Sequence, residues 1–186
     1  DEFFLTRRED ISIVYDGHLF NKLYVEFTSA YNQFDRKVNN KRYDFEPMRY
    51  DPEKTISDTT IFRTFFNRLN FSTRINPSLE LIAGLNYTHD VGMGDRIKAE
   101  NEGMEEATIS EVAVYADARY TLLKRMTISY SGRFLSQNVF GNNYTSALKA
   151  KYDIGDDISL RASYAQGYRS PDLKELFIEF IDINHY

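Results

Sequence analysis

Five basic residues in the second half of the chain, Arg119, Arg133, Lys149, Lys151 and Arg161, all occupy the same parity within segments of alternating polarity. Cations repeated on one face suit an anionic ligand, and their plain structural alternative is pairing with acids of the same face such as Glu111 and Asp117. A second candidate is the acid-rich run DVGMGDRIKAENEGMEE at 90–106, in which Asp90, Asp95, Glu100, Glu102, Glu105 and Glu106 offer hard oxygen ligands for calcium. Those acids lack the dense 1,3,5 spacing of an EF-hand, and the run reads as a solvated loop. The three histidines, His18, His89 and His185, lie in separate segments without an i, i+4 pair. With no Ser/His/Asp order and no glycine-rich phosphate loop, the residues do not describe an enzyme, and no cofactor is implied.

The composition of the 186 residues narrows what carries these groups. There is no cysteine, which removes disulfide frameworks and thiolate metal sites. A net charge of −5 with scattered basic residues excludes a nucleic-acid footprint. No run approaches the ~20 apolar residues of a membrane helix, and the opening DEFFLTRRED lacks the order of a signal peptide. The chain is therefore mature, internal or soluble. Phe and Tyr, 14 of each, make up 15% of the chain and favour strands.

The elements that position the cations follow from periodicity. In EVAVYADARY (111–120), Val112, Val114, Ala116, Ala118 and Tyr120 share one face, and Glu111, Asp117 and Arg119 share the other. A period of two is a strand, since a helix would mix charge into the apolar face. MTISYSGRF (126–134), YTSALKAKY (144–152) and ISLRASYAQ (158–166) repeat the pattern. Across the four segments all seven charges lie on one face. Upstream, DISIVYD, KLYVEFTSAYNQ, RLNFSTRI and LELIAGLNYTH alternate in the same way, which brings the expected total to about eight strands.

Connections alternate in length. Tight turns are expected at Asp16-Gly17, Asn76-Pro77-Ser78, Leu123-Lys124-Arg125 and Gly155-Asp156-Asp157. Longer polar connections are expected at 35–59, 90–108 and 138–143, and in the tail after Tyr168. Short turns on one rim and long loops on the other describe an all-β, antiparallel up-and-down meander in the manner of an outer-membrane barrel. A soluble β-rich binding or adhesion module is the alternative, with its apolar face turned to a core, and a small non-transporting barrel is a third. Strands of about ten residues, one-sided loops and the aromatics Tyr87, Tyr120, Tyr144, Tyr152 and Tyr164 near strand ends favour the barrel.

Near the C-terminus, SYAQGYRSPDLKELF resembles a segment of TonB-dependent outer-membrane receptors, in which a strand ends in an aromatic-Arg-x-Pro element followed by Leu-x-x-Leu-aromatic. The matching residues are Gly167, Tyr168, Arg169, Pro171, Leu173, Leu176 and Phe177, and the continuation IEFIDINHY is similar to Bacteroidetes receptors of this family. The resemblance implies part of a larger, 22-stranded transmembrane barrel in the outer membrane of a Gram-negative bacterium, in contact with lipid. It further implies a plug domain in the lumen, TonB and a surface lipoprotein as partners, and import of iron chelates such as siderophores, haem or cobalamin. On that basis the whole of 1–186 is expected to be a partial barrel domain, without plug or terminal strands, and the five cations to face a plug or a ligand. Physically, Pro171 is expected to end strand pairing, Arg169 to share the lumen parity of Arg161, and PDLKELF to form an amphipathic helical turn over an apolar patch.

Overall fold

A computed structural model describes residues 2–19, 22–40, 43–44, 49–50, 56–94, 97, 106–123 and 125–177. Eight long or medium strands form one antiparallel sheet: β1 (Glu2–Leu19), β2 (Leu23–Asn40), β5 (Ile56–Asn76), β6 (Leu79–Gly94), β7 (Glu106–Leu122), β8 (Met126–Gln137), β9 (Gly141–Asp153) and β10 (Ser159–Ala165). Each pairs with its neighbour in chain order, so the topology is the expected meander. Two-residue strands β3 (Tyr43–Asp44) and β4 (Arg49–Tyr50) make a separate small ladder in the β2–β5 connection, and one helix, α1 (Leu173–Phe177), follows β10. Among the described residues β1 and β10 do not pair with each other, which leaves the sheet open.

Register fixes the two faces. Val114 pairs with Leu85 and Phe134, and Phe134 with Tyr144, so one rung of apolar side chains crosses four strands. This face carries the exposed Ile11, Ile13, Leu85, Val114, Leu148 and Leu160, an apolar surface no soluble sheet leaves uncovered. On the opposite face Arg68, Asn86, Glu80, Asp117 and Arg119 mark a polar lumen. Apolar outside and polar inside is the inverse of a soluble core, and it is the pattern of a barrel wall standing in lipid. Near the middle of the outer face the Tyr130 and Tyr144 hydroxyls lie 2.7 Å apart and hydrogen-bond each other. Tyr144 leans over Gly132, where an added Cβ would stand 2.9 Å from its hydroxyl. With no water at that depth, mutual bonding is how such hydroxyls are satisfied.

The strands are longer than the sequence pattern indicates. β1 and β2 have 18 residues each, β5 has 21, β6 16 and β7 17, whereas ~9–11 tilted residues cross a membrane. The excess extends on the long-loop side, and the outer face records where lipid ends. The rung Ile11, Tyr31, Phe65, His89 and Ser110 is aromatic and apolar in its first three members, with His89 Nδ1 2.9 Å from Ser110 Oγ. One rung further out stand Glu9, Gln33 and Arg63, with Arg63 Nε donating to Gln33 Oε1 at 3.3 Å. Polar groups resume on the outer face where headgroups and water replace acyl chains.

Three local expectations are corrected. Asp16 and Gly17 do not form a turn: they lie within β1, paired with Glu26 and Val25, and the connection falls at 20–22. Gly17 serves packing instead, because the Tyr15 ring lies across it and a Cβ would come 3.0 Å from the Tyr15 hydroxyl. Strand pairing does not run to Pro171. β10 closes at Ala165, with a last bond from Gln166 N–H to the Ser146 carbonyl at 2.9 Å. Arg169 therefore has no strand parity to share with Arg161. Finally, Tyr87 stands in the middle of β6 rather than near an end.

Candidate functional site

The lumen face of β7 to β10 gathers four of the five candidate cations. Arg119, Ser129, Lys149 and Ser163 are successive partners across one rung. Thr121, Thr127, Lys151 and Arg161 form the next rung toward the short-turn rim. Together they line a groove of about 610 Å³. Two of the cations are tied to acids at its edges: Arg119 Nη1 lies 3.4 Å from Glu80 Oε2, and Lys151 Nζ 2.8 Å from Asp153 Oδ1. Lys149 and Arg161 have no acidic partner among the described residues.

Arg133 stands apart from the other four. It lines a smaller cavity of about 330 Å³ further toward the loops, together with Arg68, Asn86, Asp117 and Gln166. Its Nη2 is 3.5 Å from Glu111 Oε1. Tyr115 forms one wall by lying flat across β6 and β5: its hydroxyl donates to Asn70 Oδ1, and Gly84 directly opposite leaves the space its ring fills. A Cβ at Gly84 would sit 2.5 Å from the ring, so the glycine is required by close approach.

The motif residues leave the sheet and fold back across the lumen. After Gln166 the chain passes over β9 and β8, and Ser170 Oγ donates to Glu111 Oε2 on β7 at 2.8 Å. Pro171 then precedes a capping box: Asp172 Oδ1 accepts from Glu175 N–H at 2.9 Å, and Glu175 Oε2 accepts from Asp172 N–H at 3.0 Å. Arg169 Nη2 adds a 2.7 Å bond to Glu175 Oε1. The helical turn this fixes buries Leu173 among Ile97, Ala107 and Ile109, with Phe62 and Leu176 around them. Leu173 enters a notch at Gly92, where an added Cβ would collide with Leu173 Cδ2. Lys174 Nζ covers the Phe62 ring at 4.8 Å from its centroid. Gly167 and Tyr168 belong to the crossing segment, Tyr168 exposed and Gly167 open on the side a Cβ would occupy.

The amphipathic turn expected of PDLKELF is therefore present, and the patch it covers is the loop-side lumen wall of β5 to β7. Gly92, Gly84, Tyr115 and Glu111 organise the site and were not singled out as site residues by sequence. For Gly84 the available signal was a glycine inside an alternating strand, which marks close approach of another group, whereas Gly92 falls in the run read from sequence as a loop. Of the calcium candidates, Asp90 is held by Thr64 Oγ1, which donates to it at 2.6 Å. Asp95, Glu100 and Glu102 lie outside the described residues. No cluster of three metal-ligating side chains occurs among the described residues.

An open antiparallel meander, apolar outside and polar within, with short turns on one rim and a strap across the lumen, defines part of the wall of an outer-membrane β-barrel. The family profile described as TonB dependent receptor-like, beta-barrel matches residues 2–185, and the chain belongs to that family. Barrels of this family stand in the outer membrane of Gram-negative bacteria. Among solved structures, a G324V mutant of the ferric enterobactin receptor of Pseudomonas aeruginosa superposes with a TM-score of 0.75 at 15% identity, over 92% of this chain and 26% of that one. The siderophore receptor PirA from Acinetobacter baumannii gives 0.70 at 11% identity, over 90% and 26%. The RagAB peptide transporter gives 0.59 at 14% identity, over 88% and 23%. The chain thus spans about a quarter of the length of each of these three solved proteins. No curated protein sequence matches it at a significant level.

Proposed function

We propose that this segment is wall from an outer-membrane transporter that imports a scarce nutrient with energy delivered through TonB. The observation that carries the reading is the continuous match of residues 2–185 to the receptor barrel on a sheet whose faces are sorted for lipid and lumen. The substrate favoured is an iron chelate, since two of the three similar structures named above are siderophore or ferric enterobactin receptors. Haem and cobalamin belong to the same class of large, scarce solutes, and the likeness to a peptide transporter keeps short peptides within the range to be assayed. The receptor's own plug domain fills the lumen, membrane lipid surrounds the wall, and a surface lipoprotein joins the loop side, as the likeness to Bacteroidetes receptors implies. The wall contributes binding and passage rather than bond chemistry: the cavity lined by Arg68, Asp117 and Arg133 offers polar contacts of both signs, roofed where Gln166 begins the strap.

The test is uptake by cells carrying the full-length receptor, with labelled ferric chelates, haem, cobalamin and peptides supplied in turn. Uptake of one of them that stops when TonB is removed is the expected result. Energised uptake of none would overturn the reading.

A further inference from the structure

The groove lined by Arg119, Lys149, Lys151 and Arg161 carries a surplus of positive charge that its own acids do not balance. Glu80 and Asp153 answer two of the four cations, at the groove's edges, and both pairs are solvent-exposed. Lys149 and Arg161 face the lumen without an acid among the described residues. Hydroxyls stand between them, with Ser129 beside Lys149 and Thr127 beside Lys151, ready to add hydrogen bonds to whatever the cations attract.

Geometry selects the kind of partner. Neighbouring strands are about 4.8 Å apart and successive rungs of one face about 7 Å apart. Arg119 on β7 and Arg161 on β10 are separated by three strand spacings and one rung, which places their Cα atoms about 16 Å apart. The wall of a wide barrel curves gently, so side chains from β7 to β10 point into the lumen nearly parallel rather than converging on a point. A small anion is held by groups that converge on it. Parallel cations on three strands, spread across the width of four, match an extended surface bearing several carboxylates.

Depth agrees with that choice. The groove adjoins the short turns 123–125 and 154–158, on the rim opposite the long connections. In outer-membrane barrels the short-turn rim is periplasmic. A solute arriving from outside meets the loop-side cavity and the strap first, and only a body lodged in the lumen rests against the lower wall.

We propose that Arg119, Lys149, Lys151 and Arg161 form an electrostatic seat for an acidic strip on the plug domain, holding it against β7 to β10. This rests on the transporter reading given above and adds to it the charge of the facing plug surface and the residues that receive it. A plug seated this way is loosened by reversing the unpartnered cations, and by salt, because exposed charges are screened beyond about 8–10 Å at ordinary ionic strength.

The experiment uses the full-length receptor with Lys149→Glu and Arg161→Glu together, and in parallel the milder pair Lys149→Gln and Arg161→Gln. Barrel folding is checked by heat-dependent gel migration, and TonB-dependent uptake by the wild type is measured in the same cells. Ion conductance in planar bilayers and sensitivity of cells to a bulky antibiotic report the seat. Charge reversal is expected to raise conductance at least roughly tenfold, neutralisation less, with wild-type leak, normalised to the conductivity of the bathing solution, rising at high salt. If both variant pairs fold and remain as tight as wild type, the seat is wrong. Tight variants that lose binding of inorganic pyrophosphate shown by the wild type would make the groove a small-anion site instead. Absence of energised uptake by the wild type would overturn the transporter reading separately, because the leak measurement does not depend on transport. Should the charge-reversed pair not fold, the neutralised pair and the wild-type salt series still decide.

Discussion

Ala116 stands on the outer face of β7 between Ala83 of β6 and Gly132 of β8, six residues from the strand's short-turn end. Its surroundings are acyl chains, and an arginine there has no water within reach. Ala116→Arg is expected to destabilise the folded receptor by about 2–4 kcal/mol, whereas Ala147→Arg, which points into the polar lumen beside Ser131, is tolerated. Urea unfolding of the full receptor in vesicles measures both, and equal losses would contradict the assignment of faces. A second residue-scale prediction concerns the Leu173 knob in the Gly92 notch. Gly92→Val fills the notch and lifts α1, and Leu173→Ala empties it at a local cost of about 2–3 kcal/mol. Hydrogen exchange of the amides from Ser170 to Leu176 should quicken in both, and Gly92→Ala combined with Leu173→Ala should slow it again by restoring part of the lost volume. Exchange unchanged in either single variant would mean the notch does not hold the strap. The cations and the motif were visible as residue types and parity in the sequence. The notch was not, because Gly92 and Leu173 are far apart in the chain and only the fold brings them together.

The alternation of apolar and polar residues located every one of the eight sheet strands, since lipid on one side and water on the other impose period two wherever both are present. Strand ends were less legible, for a physical reason. Above the headgroups both faces of the wall are wet, and Glu9 and Arg63 on the outer face fall outside the alternating runs although their backbones remain paired in β1 and β5. The false turn at Asp16-Gly17 arose in the opposite way, from a glycine whose role is to receive the Tyr15 ring. At this scale the prediction is topological. Protease added to intact cells should cut within the connections 41–55 and 95–105 and leave the turns at Asn76–Ser78 and Gly155 untouched, because only the long-connection rim faces outward. Cleavage at Gly155 in intact cells would turn the wall upside down and place the basic groove at the outer mouth.

The sheet's two edges set the behaviour of the chain as a whole. β1 and β10 each pair on one side only among the described residues, and the exposed Leu160 and Tyr164 on β10 and Ile11 and Ile13 on β1 belong to the lipid face. In lipid an unpaired edge leaves a row of backbone donors and acceptors without partners, each costing several kcal/mol, so an open sheet is not a stable spanning structure. In the intact barrel further strands continue the ladder on both sides, and a matched region of only 26% of a solved receptor shows how much wall remains to be supplied. Residues 1–186 expressed alone are therefore expected to aggregate, to pair edge to edge, or to close β1 on β10 into a narrow eight-stranded ring. Such a ring fills with its own side chains, as eight strands leave little interior beyond them. Arg119, Lys149, Lys151 and Arg161 would then crowd against one another instead of lining the lumen of a wider barrel, which disfavours closure further. Liposomes carrying the purified chain should take up no ferric chelate, haem or cobalamin, beside liposomes or cells carrying the full receptor as the positive control. Specific, saturable uptake by the chain alone would show that these eight strands close into a working pore, and the account of its edges as seams within a larger wall would fail.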